Sequence, residues 1–483
     1  MTSSIARLAA LAALAVSACA QPIQLHPKNP HYFLFRGKAV ALVTSGEHYG
    51  AVLNGTFDYR KYLDTLAADR LNYTRLFGGS YIEQPAQSFG IKRNDLAPDP
   101  GHYIAPWARA ADGKLDLTKW SPEYFARFHD FLAEASKRGI VVEISLFSSH
   151  YGEMQWKLSP FNPANNVNGT NPIDYKRLET LENGNILAYQ ESYARKLVAE
   201  ANGFDNVFFE IQNEPWSDRT KLADVVNRYL RPPDRDQYPN SIDVADELSI
   251  AWQTRVAQWI MSEEAKLPNK HLIAQNYCNF YFPVRELAPG VSIVNFHYAY
   301  PAAVTLNYGL GKALAYDETG FIGRDDATYR RQAWNFMLSG GSTFDNLDYS
   351  FNVGHEDGSD GEPNGPGGGS TAFRTQLRVL VDFLAGLPLV DMTPDAHVVK
   401  RAGGAYARVL SKPGSVYAMY FDGTGPMDVT LDLPAGTYAC EWINIDKEEP
   451  AIATDYLQGG IGTLHSPAFR DGIALRVTAV RAD

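Results

Sequence analysis

From residue 38 onward, short apolar runs of strand length alternate with longer runs of helical spacing, and this alternation decides what the chain can fold into. Residues 39–44, 72–77, 140–147, 207–212, 271–276, 291–297, 313–317 and 342–347 read as strands. Residues 57–70, 122–138, 186–202, 245–267, 329–338 and 371–384 carry apolar side chains at helical intervals. Run 140–147 (IVVEISLF) is apolar on both faces, as expected of a parallel sheet covered by helices. Local signals agree. Ser121 is placed to cap the second helix with Pro122 at its first position, and Gly203 follows the third. Eight strands alternating with helices predict an α/β chain with a (β/α)8 TIM barrel over 21–388. A doubly wound sheet would need a glycine-rich phosphate turn after its first strand, where Thr44-Ser45-Gly46-Glu47-His48 stands instead. The glycine-rich run 358–370 lacks the lysine of a phosphate loop and reads as a plain loop.

Beyond residue 389 the helical period stops. Residues 406–410, 416–421, 427–431, 436–443 and 473–480 are short strand-like runs separated by turn signals such as Asp422-Gly423. They predict a small C-terminal β-sandwich domain over 389–483. Hydrophobic residues at 45% and charged residues at 20% supply enough apolar material to fill both cores and exclude extended disorder. With 44 Lys and Arg against 55 Asp and Glu, the net charge of −11 argues against nucleic acid as a partner.

Residues 1–20 read as an address. Arg7 precedes a short apolar stretch and then Ser17-Ala18-Cys19-Ala20, the pattern of a signal peptide. Val16 to Cys19 fits a bacterial lipobox, in which Cys19 would carry a lipid; Ala18-Cys19-Ala20 also fits plain cleavage before Gln21. Either reading predicts export, to the periplasm or outer membrane as a lipoprotein or by secretion, with a lipid on Cys19 as the sole membrane contact. No later apolar run reaches the roughly 18 residues of a membrane span. Cys278 and Cys440 fall in different predicted domains and read as buried free thiols; neither lies in a Cys/His cluster, so no metal site is expected from them.

The chemistry concentrates at two strand ends. In Asn206–Trp216 (NVFFEIQNEPW) an apolar strand ends in Asn213-Glu214-Pro215, and in Leu314–Phe321 (LAYDETGF) another ends in Glu318. In a barrel the C-terminal strand ends form the active face, so both glutamates would converge there. Asn213 can bond a substrate hydroxyl beside the first. Glu47 and His48 follow the first strand, Trp156 offers a stacking ring in the loop after the third, and Tyr349 follows the eighth. Long segments at 79–118, 148–185 and 217–243 should wall the active face.

Asn213-Glu214 on the fourth strand with Glu318 on the seventh resembles clan A of the glycoside hydrolases, retaining barrel enzymes that include family 5. The resemblance implies Glu214 as general acid/base and Glu318 as nucleophile. Arg75, in Tyr-Thr-Arg-Leu-Phe, matches the clan's arginine near the nucleophile, and His297-Tyr298 matches its His-x-Tyr neighbourhood with the two residues contiguous here. The tryptophan expected at the end of the eighth strand is absent; Asn346, Asp348 and Tyr349 stand there. Retaining hydrolysis needs two carboxylates about 5–5.5 Å apart, one neutral and one ionised. Arg75 would keep Glu318 ionised, the Tyr298 hydroxyl would support the same carboxylate, and the anionic neighbour would keep Glu214 protonated. The predicted substrate is a β-linked oligo- or polysaccharide, with no metal or organic cofactor, because carboxylates supply both proton and nucleophile. Two alternatives use the same residues: a transglycosylase that excludes water as acceptor, and a non-catalytic carbohydrate-binding surface lipoprotein.

Overall fold

The computed structural model describes residues 21–224, 241–447 and 452–480. The predicted signal segment 1–20 with Cys19, and residues 225–240 of the predicted wall 217–243, lie outside them. The barrel strands are β1 (Leu42–Gly46), β2 (Tyr73–Phe77), β3 (Val141–Ser148), β4 (Val207–Asn213), β5 (Ile273–Asn279), β6 (Val291–His297), β7 (Ala313–Glu318) and β8 (Thr343–Leu347). They pair in parallel in the order β1-β8-β7-β6-β5-β4-β3-β2, a near-closed TIM barrel. Between β1 and β2 the side chain of Asn72 does the work of a ladder. Its Oδ1 accepts from Val43 N (2.8 Å) and its Nδ2 donates to Ala41 O (2.8 Å).

Among the described residues the α-helices longer than four residues are α1 (Tyr59–Ala68), α2 (Pro122–Lys137), α3 (Ile186–Ala201), α4 (Glu247–Glu264), α5 (Pro301–Asn307), α6 (Asp326–Met337) and α7 (Thr371–Ala385). The crossover from β5 to β6 is a loop without a helix. The expected cap forms: Ser121 Oγ accepts from Tyr124 N at 3.3 Å, and α2 then buries Tyr124, Phe128, Phe131, Leu132 and Ala135 against the sheet. Every residue of β3 is buried, as its unbroken apolar run requires.

A three-stranded meander, Gln24–His26, Asn29–Phe35 and Lys38–Val40, precedes β1. Its Phe33 and Phe35, with Ile23, pack on Leu42, Tyr73, Val141, Phe208, Ala274, Ile293 and Ala313, which stand within the first three residues of seven strands. This plug closes the N-terminal end of the barrel and leaves the opposite end for a site.

The C-terminal sandwich contains β9 (Val399–Ala402), β10 (Tyr406–Lys412), β11 (Val416–Asp422), β12 (Asp428–Ile443), β13 (Ile452–His465) and β14 (Ile473–Ala479), all antiparallel. The expected strands 427–431 and 436–443 form one strand, β12, with an irregularity between Leu433 and Thr437. That break lets the strand run from one layer, beside β9, into the other, beside β14. Its two halves share one core, with Val429 and Leu431 from one and Tyr438 and Trp442 from the other. The outer face joins the barrel core through Leu410, Ala418, Tyr420 and Ala474. Tyr420 stacks on Trp334 of α6 at 5.7 Å, and Asp422 accepts from Arg331 (2.7 Å) and Asn335 (2.9 Å). Cys278 and Cys440 are buried free thiols, as expected. Among the described residues no helix is long and apolar enough to cross a membrane.

Candidate active site

The C-terminal strand ends bring the two glutamates together. Asn213 is the last residue of β4, and Glu214 turns the chain with φ of 48°. That turn is pinned on both sides: Glu214 N donates to Asn276 Oδ1 (3.2 Å) and Ser149 Oγ donates to Glu214 O (2.7 Å). Glu318 ends β7, its carbonyl accepting from Tyr298 N at 2.9 Å. One carboxylate oxygen of Glu214, one of Glu318 and a ring nitrogen of His297 all lie within 4.8 Å of one another. His297 Nδ1 is 2.9 Å from Glu214 Oε1 and 3.5 Å from Glu318 Oε1, so the imidazole bridges the pair. Its Nε2 is flanked by the Asn276 amide nitrogen at 2.8 Å and Asp317 Oδ2 at 3.6 Å. Burial would favour the neutral ring, but the charges of Glu318 and Asp317 outweigh it and raise the His297 pKa well above the ordinary value.

Glu318 is held from three sides. Tyr298 OH donates to Oε1 (3.0 Å), while Arg75 Nη1 (3.3 Å) and Tyr49 OH (3.4 Å) reach Oε2. Burial pushes its pKa up, but the charge and hydrogen bond of His297, then Arg75 and His48, prevail and bring it down to about 2. Arg75 is fully buried beneath the pair. Its Nη2 bonds Glu210 Oε2 (2.5 Å) and Asn213 Oδ1 (2.9 Å), and its guanidinium lies 4.6 Å from the Tyr49 ring centre. One cation thus links the Asn213 side chain to the Glu318 carboxylate. Deeper still, Asn295 Nδ2 donates to Glu143 (2.7 Å) and Asp317 (2.8 Å). Burial, then the neighbouring Glu210, pushes Glu143 well above the usual carboxylate range, which keeps the acid-rich barrel interior from carrying every charge at once.

The glutamates open into a cavity of about 270 Å³. Asn213, Glu214, Glu318 and Tyr298 form its floor; Phe77, Phe89, Leu96 and Phe321 give an apolar wall. A polar corner holds Glu83, which accepts from Tyr81 OH (3.0 Å) and from Asn94, and faces His48 Nε2 at 3.5 Å. Tyr151 closes another side, its hydroxyl accepting from Asn213 Nδ2 at 2.7 Å.

The residues singled out from sequence therefore separate. Glu214, Glu318, Asn213, Tyr298 and His48 line the cavity, and Arg75 and His297 support its acids from below. Glu47 lies deeper, its carboxylate accepting from Gly50 N (3.0 Å) and Ala51 N (3.2 Å) to shape the loop that presents His48 and Tyr49. Trp156 stands behind the wall, edge-on to His150 at 5.9 Å. Tyr349 backs Phe321 edge-on at 6.1 Å and lies 6.4 Å from the His48 ring. Sequence reading passed over Tyr49, Tyr151, Glu83, Phe89 and Phe321. Tyr49 directly follows His48 and Tyr151 opens the segment that holds Trp156, so both were within reach; nothing local marked Glu83 or Phe89.

No family model matches the chain, and no curated protein matches it. Solved structures do. A glycoside hydrolase superposes with a TM-score of 0.62 at 12% identity, over 96% of this chain and 98% of its own. A glycoside hydrolase family 5 structure from Bacteroides vulgatus ATCC 8482 gives 0.59 at 10% identity, over 95% and 93%. A second glycoside hydrolase structure from that organism gives 0.60 at 12%, over 96% and 83%. The chain shares its fold with these glycoside hydrolases. The likeness spans barrel and sandwich together, so the two-part architecture read from sequence is that of these structures.

Proposed function

We propose that the protein is an exported retaining β-glycoside hydrolase with Glu214 as general acid/base and Glu318 as nucleophile. The observation that carries the reading is the pair of carboxylates with oxygens within 4.8 Å of each other at the mouth of the barrel. Inverting enzymes hold their carboxyl groups about 6.5–9.5 Å apart to admit a water between them, whereas retaining enzymes hold them at about 5–5.5 Å. The electrostatics fit the division of labour. Glu318, down at about 2, is ionised and bears an oxygen able to attack the anomeric carbon. Glu214 hands its proton to the departing glycosidic oxygen as that bond breaks. It then takes a proton from the water that releases the sugar from Glu318, which leaves both carboxyls as they began. His297, bonded to Glu214 and close to Glu318, offers positive charge to whichever of the two is anionic.

The walls support a terminal sugar unit as the bound group: Phe89, Tyr151 and Phe321 close the sides around a small cavity, and the sequence segment 1–20 supports export. The test is hydrolysis of a panel of aryl β-glycosides by wild type, Glu214→Gln and Glu318→Gln. Activity lost in both variants, with azide rescue of Glu214→Ala giving the retained β-azide, supports the assignment. Activity that survives Glu318→Gln overturns it.

A further inference from the structure

A second cluster of imidazole and carboxyl groups lies behind the pocket wall. His150 follows β3, Glu179 sits in the long segment before α3, and Asp218 follows β4; one candidate ligand atom from each lies within 4.8 Å of the others. Their exposures are 2%, 2% and 5%. Their polar atoms are not satisfied by the protein. Neither ring nitrogen of His150 has a hydrogen-bond partner, and neither has Oε2 of Glu179. Glu179 Oε1 stands 3.8 Å from His150 Nδ1, beyond hydrogen-bond reach. Asp218 is tethered by the backbone N–H groups of His150 (2.5 Å) and Tyr151 (2.8 Å), one to each oxygen, which leaves a lone pair free on both.

Buried groups of this kind are ordinarily paired or ligate a metal. Burial lowers His150 to about 3, so its ring is neutral and has a lone pair to give. Burial raises Glu179 well above the usual carboxylate range and Asp218 to about 6; Lys176 acts only on Asp218, from a distance. What the cluster lacks is positive charge at its centre.

We propose that His150, Glu179 and Asp218 bind one first-row divalent cation, and that this ion fixes the pocket wall. An imidazole with two carboxylates suits Zn2+ or Mn2+ better than Ca2+, whose shell is all oxygen. Zinc bonds of about 2.0–2.2 Å put ligand atoms about 3–4 Å apart, so the groups need only draw together slightly. The consequence reaches the site through Asp218: it holds Tyr151 N, and the Tyr151 hydroxyl holds Asn213 beside Glu214. The ion would tie the two ends of the connection between β3 and α3 to the segment after β4, and this assignment does not depend on the carbohydrate reading.

The full-length protein, stripped with EDTA and dialysed, is titrated with Zn2+, Mn2+ or Ca2+ while bound metal and Tm are measured. About one equivalent of Zn2+ or Mn2+ and a rise of a few degrees in Tm are expected, with Ca2+ doing less. His150→Ala and Glu179→Gln lose both effects. Glu214→Gln, which alters the other imidazole–carboxylate cluster, keeps both. Should the first two variants fail to fold, anomalous diffraction from Zn2+-soaked wild-type crystals decides, with a peak expected among the three residues. The assignment is overturned by any of three results: no metal-dependent rise in wild type, a rise that survives in His150→Ala and Glu179→Gln, or anomalous density confined to Glu214 and Glu318.

Discussion

Five non-glycine residues around the cavity hold positive φ: Tyr49 at 68°, Phe89 at 53°, Tyr151 at 58°, Glu214 at 48° and Tyr298 at 48°. Each such backbone costs on the order of 1 kcal/mol or more, and it persists because surrounding bonds hold it. All five line the cavity, and three of them bring a hydroxyl to Glu318 or Asn213. Tyr298→Phe keeps ring and backbone but removes the hydrogen bond to Glu318. Hydrogen bonds to charged groups contribute about 1.5–3 kcal/mol, so kcat/KM on a responsive aryl glycoside should fall by roughly one to two decades with circular dichroism unchanged.

Glu318 also sets a pH dependence. Its carboxyl is held down at about 2 against an ordinary 4.5, so it stays charged as acidity rises and its contribution to stability is present above pH 4.5. That contribution is lost as the pH falls from there through about 2. Removing the principal cation by His297→Gln should therefore move the acid limb of kcat/KM upward, toward the ordinary carboxylate value. An acid limb unchanged in that variant would show that His297 does not hold the nucleophile ionised.

At the scale of elements, the loop after β8 holds the neighbouring strand end in place by close approach. A Cβ on Gly367 would meet the Gly320 carbonyl oxygen at 1.5 Å and the Tyr349 ring at 2.3 Å. Gly320 lies two residues past Glu318, so Gly367→Ala should push the end of β7 and lower activity more than it lowers Tm. Arg374 of α7 is a second fastening. It is fully buried and bonds Asp348 (2.8 Å), Asp69 (3.1 Å) and Ser350 (3.0 Å), joining α7 to the loops after β8 and α1. Arg374→Met leaves Asp348 buried without its cation and should destabilise by about 3–5 kcal/mol in denaturant melts. Strands and helices here were legible because period and capping are local properties: β6 spans the predicted 291–297, and α2 begins at the predicted Pro122. β13 was not anticipated. Its sequence (IATDYLQGGIGTLH) has three glycines and few buried positions, and it becomes a strand because β12 offers an edge along most of its length.

Across the whole molecule the sandwich acts as part of the barrel's packing. Tyr420 is fully buried against Trp334 and belongs to the barrel core, not the sandwich's own. Tyr420→Ala should cost about 3–5 kcal/mol and lower the single unfolding transition of barrel and sandwich together, read by calorimetry. Two separate transitions, with only the later one moved, would show that the sandwich folds independently.

What the sequence determined by itself was the parallel αβ alternation, the switch to antiparallel strands near residue 389, and the two glutamates on strands four and seven. Each is written in periodicity and in the residues that end a strand, so a window of some ten residues suffices to read it. What only the tertiary structure decided was the company those glutamates keep. Asn72 closes the barrel seam with a side chain, Glu47 turns inward while Tyr49 turns toward Glu318, and Glu83 and Phe89 from the loop after β2 meet Phe321 from the loop after β7 around one cavity. His150, Glu179 and Asp218 meet in the same way. These encounters depend on long connections folding back over the strand ends, and no local period records where a loop will land.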